Sequence, residues 1–305
     1  MNYRPHPFTL RQLQYVLAVA EELSFRRAAE RCHVSQPSLS AQLAQLEEAL
    51  GVQLFERDRR RVLATAAGEE IVERARRLLL GADDLLAASQ RAGDPLAGVI
   101  RIGVIPTISP YLLPAMAPRL RRAFPRLTIA WREDKTASLA MALGAGELDA
   151  ALLALEADIG DVEHESIAAD PFVLATLPGH PLARKSGPVA SQELRGTEVL
   201  LLDDGHCFRN QALEVCTAAR SHESEFRATS LATLVQMVAQ GAGVTLLPAL
   251  SVPVEAKRAG LRVRRLASPA AHRTIALVWR KGGALAKPLR EIASAMRAAF
   301  PSATA

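Results

Sequence analysis

The stretch "LSFRRAAERCHVSQPSLSAQLAQLEEALGVQLFERDRRR", residues 23–61, decides the reading of the N-terminal third. Ser24 can cap a short helix over "FRRAAERC", in which the Ala28–Ala29 pair permits close helix contact. Cys32 falls on that helix's apolar side and reads as a small buried hydrophobe. "HVSQ" is then a tight turn, with Ser35 as the next N-cap and Pro37 in the first turn, where proline is tolerated. Leu39, Leu43, Leu46 and Leu50 form one apolar stripe along the third helix. Its opposite face opens with Gln36, Ser38, Ser40 and Gln42, short uncharged hydrogen-bonding groups. That is the chemistry of a helix whose N-terminal end reads base edges in a major groove. "FERDRRR" follows, and Arg57, Arg59, Arg60 and Arg61 make a basic tip suited to phosphate contact. Upstream, Leu10, Leu13, Val16, Leu17 and Ala20 recur at helical spacing and supply a first amphipathic helix. A solvated helical hairpin would share the periodicity. The cap, proline, polar face and arginine wing together are far more specific to DNA contact.

The whole chain holds 305 residues, which suits two or three domains. About half are apolar, and only 13 are aromatic, so aliphatic packing dominates the cores. The formal charge of +5 permits an acidic partner such as DNA. Arginine outnumbers lysine 32 to 5, a bias that genome composition explains equally well, so position matters more than number. No apolar run approaches the roughly 18 residues of a membrane span, and "MNYRPHPFTLRQ" has no signal-peptide core. A cytoplasmic location is expected, where three cysteines do not make a disulfide framework.

Beyond residue 65 one longer helix is predicted over 66–91. Ile71, Ala75, Leu78, Ala82, Leu85 and Ser89 alternate four and three apart, a coiled-coil seam flanked by Glu70, Arg74, Arg76 and Asp84. "RAGDPLAG" (91–98) reads as a linker. After it, strand-like "GVIRIGV", "LTIAWRE", "EVLLLDD", "EFRATS", "GVTLLPAL" and "RTIALVWR" alternate with helix-like segments, and a C-terminal helix runs around 284–300. This alternation argues an α/β domain with a mostly parallel sheet over residues 92–305.

"LSFRRAAERCHVSQPSLSAQLAQLEEALGVQLFER" resembles the N-terminal winged helix-turn-helix of LysR-type transcriptional regulators. The resemblance implies a winged DNA-binding head over 1–65, a dimerising linker helix over 66–91 and a two-lobed, periplasmic-binding-protein-like effector domain over 92–305. It also implies double-stranded operator DNA, a homodimer or homotetramer, and RNA polymerase as partners, with no cofactor and no enzymatic role.

Within the effector domain, "DGHCFRNQALEVC" (204–216) places two of the three thiols nine positions apart. On a helix that separation is about 13 Å along the axis, whereas a disulfide needs Cα atoms within about 7 Å. Either the pairing is accidental or bonding requires the segment to change shape. Cys207 heads the predicted helix, where the dipole favours a thiolate; Arg209 and a protonated His206 would help and Asp203 and Asp204 oppose. In open parallel sheets ligands gather at strand carboxyl ends, which is where Thr107, Thr136, His206 and Cys207 fall. "LLDDGHCFRNQALEVC", "GVIPTISPYLLP", "FRATSLATL" and "GVTLLPAL" closely resemble the peroxide-sensing members of the LysR family. That resemblance implies Cys207 as peroxidatic and Cys216 as resolving cysteine, a peroxide pocket of Thr107, Thr136, His206 and Arg273, and a cellular dithiol as reductant. Arg273 is the one pocket residue that topology does not place independently, and Glu225 stands where the family pattern has a histidine.

Two other readings compete. A LysR-type regulator answering to a small organic metabolite would leave the cysteines as packing. A thiol peroxidase would share the cysteine chemistry, but has no use for the winged head. "GAGVTLLP" lacks the third glycine of a dinucleotide turn, and the seven histidines are scattered without metal spacing.

Overall fold

The computed structural model describes residues 5–57, 62–90 and 96–300, leaving out the side chains of residues 57, 84 and 87–90. The chain divides into two compact units, residues 1–92 and 93–305.

In the first unit, α1 (Leu10–Glu22), α2 (Phe25–Arg31) and α3 (Gln36–Leu50) precede a two-stranded wing, β1 (Phe55–Arg57) and β2 (Val62–Ala64). Thr9 and Gln12 close a capping box on α1, Ser24 accepts from the Arg27 N–H, and Ser35 accepts from the Ser38 N–H at 3.3 Å. Leu13, Val16, Ala28, Ala29, Leu39, Leu43 and Leu46 are buried together. Cys32 is the C-cap of α2 and half-buried against this core, rather than inside the helix and fully enclosed. The antiparallel wing pairs Phe55 with Ala64 and Arg57 with Val62.

The long helix α4 (Ala66–Gln90) belongs to the same unit. Ala75 is buried in the head core, and Ile71, Val72 and Leu79 pack against it. The proposed seam therefore divides: its first two members face their own head, while Leu78 and Leu85 are exposed. The side chains of Asp84 and Ser89 lie outside the described residues. Gly68 shows how tightly α4 starts, since a Cβ there would stand 2.0 Å from the Leu54 carbonyl oxygen. Gly68→Ala is expected to destabilise the head by about 1–3 kcal/mol, an overpacking cost against rigid backbone. Urea unfolding followed by far-UV circular dichroism would register it as a lowered midpoint for the head transition.

The second unit is two lobes on one nine-stranded sheet, ordered β4-β3-β5-β11-β6-β9-β7-β8, with β10 added beside β6. In the first lobe β3 (Gly98–Val104), β4 (Leu127–Glu133) and β5 (Ala150–Ala154) run parallel, joined by α5 (Ser109–Ala123) and α6 (Thr136–Gly144). Strand β6 (Val162–Thr176) is long enough to serve both lobes. In the second, β7 (Glu198–Leu202), β8 (His222–Ala228) and β9 (Val244–Pro248) are again parallel, joined by α7 (Cys207–Ala219) and α8 (Leu231–Ala239). The chain then passes through α9 (Glu255–Arg258) and β10 (Arg262–Arg265), returns to the first lobe as β11 (His272–Arg280) and ends in α10 (Ala286–Ala299).

The sheet is thus mixed, not mostly parallel: β11 pairs antiparallel with β5 and β6, and β6 antiparallel with β9 and β10. The physical reason is the return path. A chain that leaves one lobe and re-enters it must send a strand back against the direction of the others. Two aliphatic cores result, one per lobe. Among the described residues no helix is long and apolar enough to cross a membrane.

Candidate functional site

Helices α5, α6 and α7 each begin just beyond the carboxyl end of a parallel strand. The strands of the two lobes run in opposite directions, and contacts at the lobe junction bring the start of α7 to the first lobe. Cys207 is the first residue of α7, and His206 is its N-cap in extended conformation with no capping hydrogen bond from its side chain. Although α7 belongs to the second lobe, half-buried Cys207 packs against the core of the first. Cys216, nine residues on, is 2% exposed and sits in the second lobe's core. One intact helix therefore holds the two sulfurs in different cores, about 13 Å apart along its axis, and both are free thiols. Burial pushes the Cys216 thiol upward, against a smaller downward effect of the Ser221 hydroxyl.

Thr107, between β3 and α5, is buried, and Arg273 on β11 is fully buried beside it. Arg273 donates from Nη1 to Thr107 Oγ1 at 2.7 Å and from Nη2 to the Thr107 carbonyl at 3.0 Å. Its Nε donates to Asp170 Oδ2 at 3.0 Å, and the two residues are cross-strand partners on β11 and β6. The other Asp170 oxygen accepts from the Leu250 N–H at 2.9 Å. The guanidinium also lies over the Phe208 ring, 5.9 Å from its centroid, and Phe208 is the residue after Cys207. Arg273 thus ties the junction of the lobes to the start of α7, although topology read from sequence could not place it.

Thr136 is the first residue of α6 and 6% exposed. The preceding residue, Lys135, donates from Nζ to the Asp204 carbonyl at 2.8 Å, two residues before His206. This contact sets the start of α6 beside the turn that carries Cys207. Two buried polar atoms there have no hydrogen-bond partner among the described residues: Thr136 Oγ1 and His206 Nε2. Burial and the nearby Lys135 ammonium hold the His206 imidazole below its ordinary value, favouring the neutral ring, against Asp203 and a bond to the Thr229 backbone. Arg209 is committed to Asp204, Glu223 and the Leu202 carbonyl, at 2.9, 2.9 and 3.1 Å. Neither cation expected to help the Cys207 thiolate is therefore a free positive charge. Gln211, 8% exposed on α7, was not read from sequence as part of the site; its Nε2 donates to Glu156 at 3.4 Å and its Oε1 has no partner among the described residues. A polar residue one turn along from Cys207 was the available signal. Glu225 is exposed on the edge strand β8. Among the described residues no group of three or more His, Cys, Asp or Glu side chains could hold a metal.

In the head, Gln36, Pro37 and Ser38 are exposed at the start of α3, with Ser40 and Gln42 partly exposed further along. The Ser35 oxygen is occupied as the cap, leaving its O–H to donate outward. Arg59, Arg60, Arg61 and the Arg57 side chain lie outside the described residues.

Comparison with known proteins accounts for both units. Residues 10–69 match the family of bacterial regulatory helix-turn-helix proteins, lysR family, and residues 93–301 match the LysR substrate binding domain. The chain is 44% identical over 291 residues to the DNA-binding transcriptional dual regulator OxyR of Escherichia coli K12, covering 95% of each. It is also 44% identical over 289 residues to the hydrogen peroxide-inducible genes activator of Pectobacterium carotovorum, covering 94% of this chain and 95% of that one. Among solved structures, full-length OxyR from Pseudomonas aeruginosa, in a variant form, superimposes with a TM-score of 0.75 at 36% identity, covering 96% of both chains. An H2O2-bound variant of Corynebacterium glutamicum OxyR gives 0.66 at 35% identity, covering 98% of this chain and 94% of that one. With both units matched and these identities extending along nearly its whole length, the chain belongs to the LysR family of bacterial transcriptional regulators.

Proposed function

We propose that this protein is a DNA-binding transcriptional regulator that senses hydrogen peroxide through Cys207 and thereby controls oxidative-stress genes. The observation that carries the reading is the setting of Cys207. It heads α7 against the opposite lobe's core, beside two buried polar atoms that lack partners among the described residues and a threonine engaged by a buried arginine.

The residues divide the chemistry as follows. Thr107 Oγ1 accepts from Arg273, which leaves its O–H to donate to a peroxide oxygen. Thr136 Oγ1 and His206 Nε2 have bonding capacity for the same peroxide oxygens. The Cys207 thiolate attacks one oxygen, the O–O bond breaks, and the departing oxygen takes a proton and leaves as water. Cys207 is now a sulfenic acid. Attack by the Cys216 sulfur expels a second water and forms the disulfide. No intact helix allows that bond, so the 207–216 segment must unwind. A cellular dithiol reverses the reaction by exchange.

The remaining assignments follow from the same reading. Residues 1–65 act as the DNA-binding head, with Gln36, Pro37, Ser38, Ser40 and Gln42 toward base edges and Ser35 and the wing arginines toward phosphate. Helix α4 pairs two chains through its exposed Leu78 and Leu85 face, giving a homodimer and, through effector contacts, a homotetramer. Unwinding of α7 alters those effector contacts, and so the spacing of the heads and the access of RNA polymerase.

Brief treatment with near-stoichiometric peroxide, followed by mass spectrometry of peptides, tests the reading. An intrachain Cys207–Cys216 disulfide is expected, and Cys216→Ser should instead accumulate sulfenic or over-oxidised Cys207. Cys207 remaining reduced under these conditions would falsify the sensing reading.

A further inference from the structure

The turn before Cys207 is held from both sides. Its Asp204 carboxylate is held within the second lobe by Arg209 and Arg227, at 2.9 and 3.1 Å. Its Asp204 carbonyl is held by Lys135 of the first lobe at 2.8 Å. Gly205, next in the turn, has φ +88°, and the Lys135 methylenes lie so close that a Cβ there would meet Lys135 Cδ at 3.0 Å. Lys135 is itself fixed at its root, where its N–H donates to Asp134 Oδ1 at 2.8 Å, and it is followed directly by Thr136. The Lys135 side chain therefore joins the immediate neighbour of Thr136, whose hydroxyl has no partner among the described residues, in one lobe to the turn leading into His206 and Cys207 in the other.

We propose that Lys135 is a positioning residue for peroxide reduction: its clamp on the Asp204–Gly205 turn sets the distance between the Cys207 sulfur and the Thr136 hydroxyl. The proposal rests on the sensing reading above and adds to it a residue that touches neither peroxide nor sulfur. Its physical basis is that reacting groups contributed by two different lobes must be held in register across the junction, and small misplacements cost large factors in rate. The lysine stem spans that junction directly at the Asp204–Gly205 turn, and its ammonium–carbonyl bond is charge-assisted.

The test uses the full-length protein as wild type, Lys135→Met and Lys135→Arg. Peptide-level mass spectrometry gives the rate of Cys207 oxidation by hydrogen peroxide and, separately, of its alkylation by iodoacetamide. Alkylation needs an accessible thiolate but no donor from Thr136. Lys135→Met is expected to slow peroxide oxidation on the order of tenfold, to leave alkylation unchanged, and to be rescued by Lys135→Arg. Equal peroxide rates in wild type and Lys135→Met, or a parallel loss with both reagents, would overturn the positioning role while leaving Cys207 sensing intact. A wild-type Cys207 inert to peroxide would overturn both.

Discussion

A Cys207→Ser protein is expected to give a single DNA footprint upstream of its own gene, unchanged by peroxide, where the unsubstituted protein gives two. The substitution exchanges one atom at the first residue of α7, so the fold and the reduced-state footprint are retained. What disappears is the nucleophile. A serine hydroxyl has no appreciable anion near neutral pH and no oxidation ladder to climb, so neither sulfenic acid nor disulfide forms. With the disulfide excluded, nothing forces α7 to unwind and the heads have no reason to move. The loss is therefore complete rather than graded. A regulator of this family that answered to an organic metabolite, with its cysteines only packing, would keep its response in the same variant, and the footprint separates the two directly.

Arg273→Met should produce the largest stability change in the effector unit, together with loss of peroxide reactivity. Arg273 and Asp170 are a fully buried ion pair, 0% and 2% exposed at the side chain, with 2.9 Å between Nη2 and Oδ2. Breaking such a pair from one side leaves an uncompensated buried charge and costs about 3–5 kcal/mol. Asp170 would retain only its bond from the Leu250 N–H among those described here. Arg273→Lys is not a conservative rescue, because an ammonium cannot span Asp170 and both Thr107 oxygens as the guanidinium fork does. The informative companion is the Arg273→Met, Asp170→Asn double variant. It removes the stranded charge while keeping an acceptor for Leu250, so urea unfolding should show much of the stability restored. Peroxide oxidation of Cys207 should remain slow, because Thr107 still lacks the donor that orients its hydroxyl. Recovery of both together would mean that Arg273 serves the fold alone.

The same ion pair marks the limit of what the sequence reveals. Thr107, Thr136, His206 and Cys207 were legible as candidates because each follows a strand-like run, and strand carboxyl ends are where ligands gather. Arg273 was not, because its role depends on a neighbour in β6. That strand hides itself: "VEHESIAADPFVLAT" opens on Glu163, His164 and Glu165 in place of an apolar run and carries Asp170–Pro171 where a reader expects a turn. Only pairing with β11 along residues 162–171 and with β9 and β10, which flank it, along residues 172–176 makes it continuous.

Helix α4 makes the same point. Its four-and-three spacing is an apolar stripe, but Ile71 and Ala75 spend that stripe on their own head, and Leu78 and Leu85 leave theirs exposed. By itself the sequence determined the winged head, whose caps and periodicity are local, the alternation of strands and helices, and the helical separation of two thiols. Tertiary structure alone decided the mixed sheet, the buried Arg273–Asp170 pair and the placement of those thiols in two different cores. The reason is that side-chain spacing encodes which face of an element avoids water, whereas the partner that covers the face is chosen by residues a hundred or more positions away.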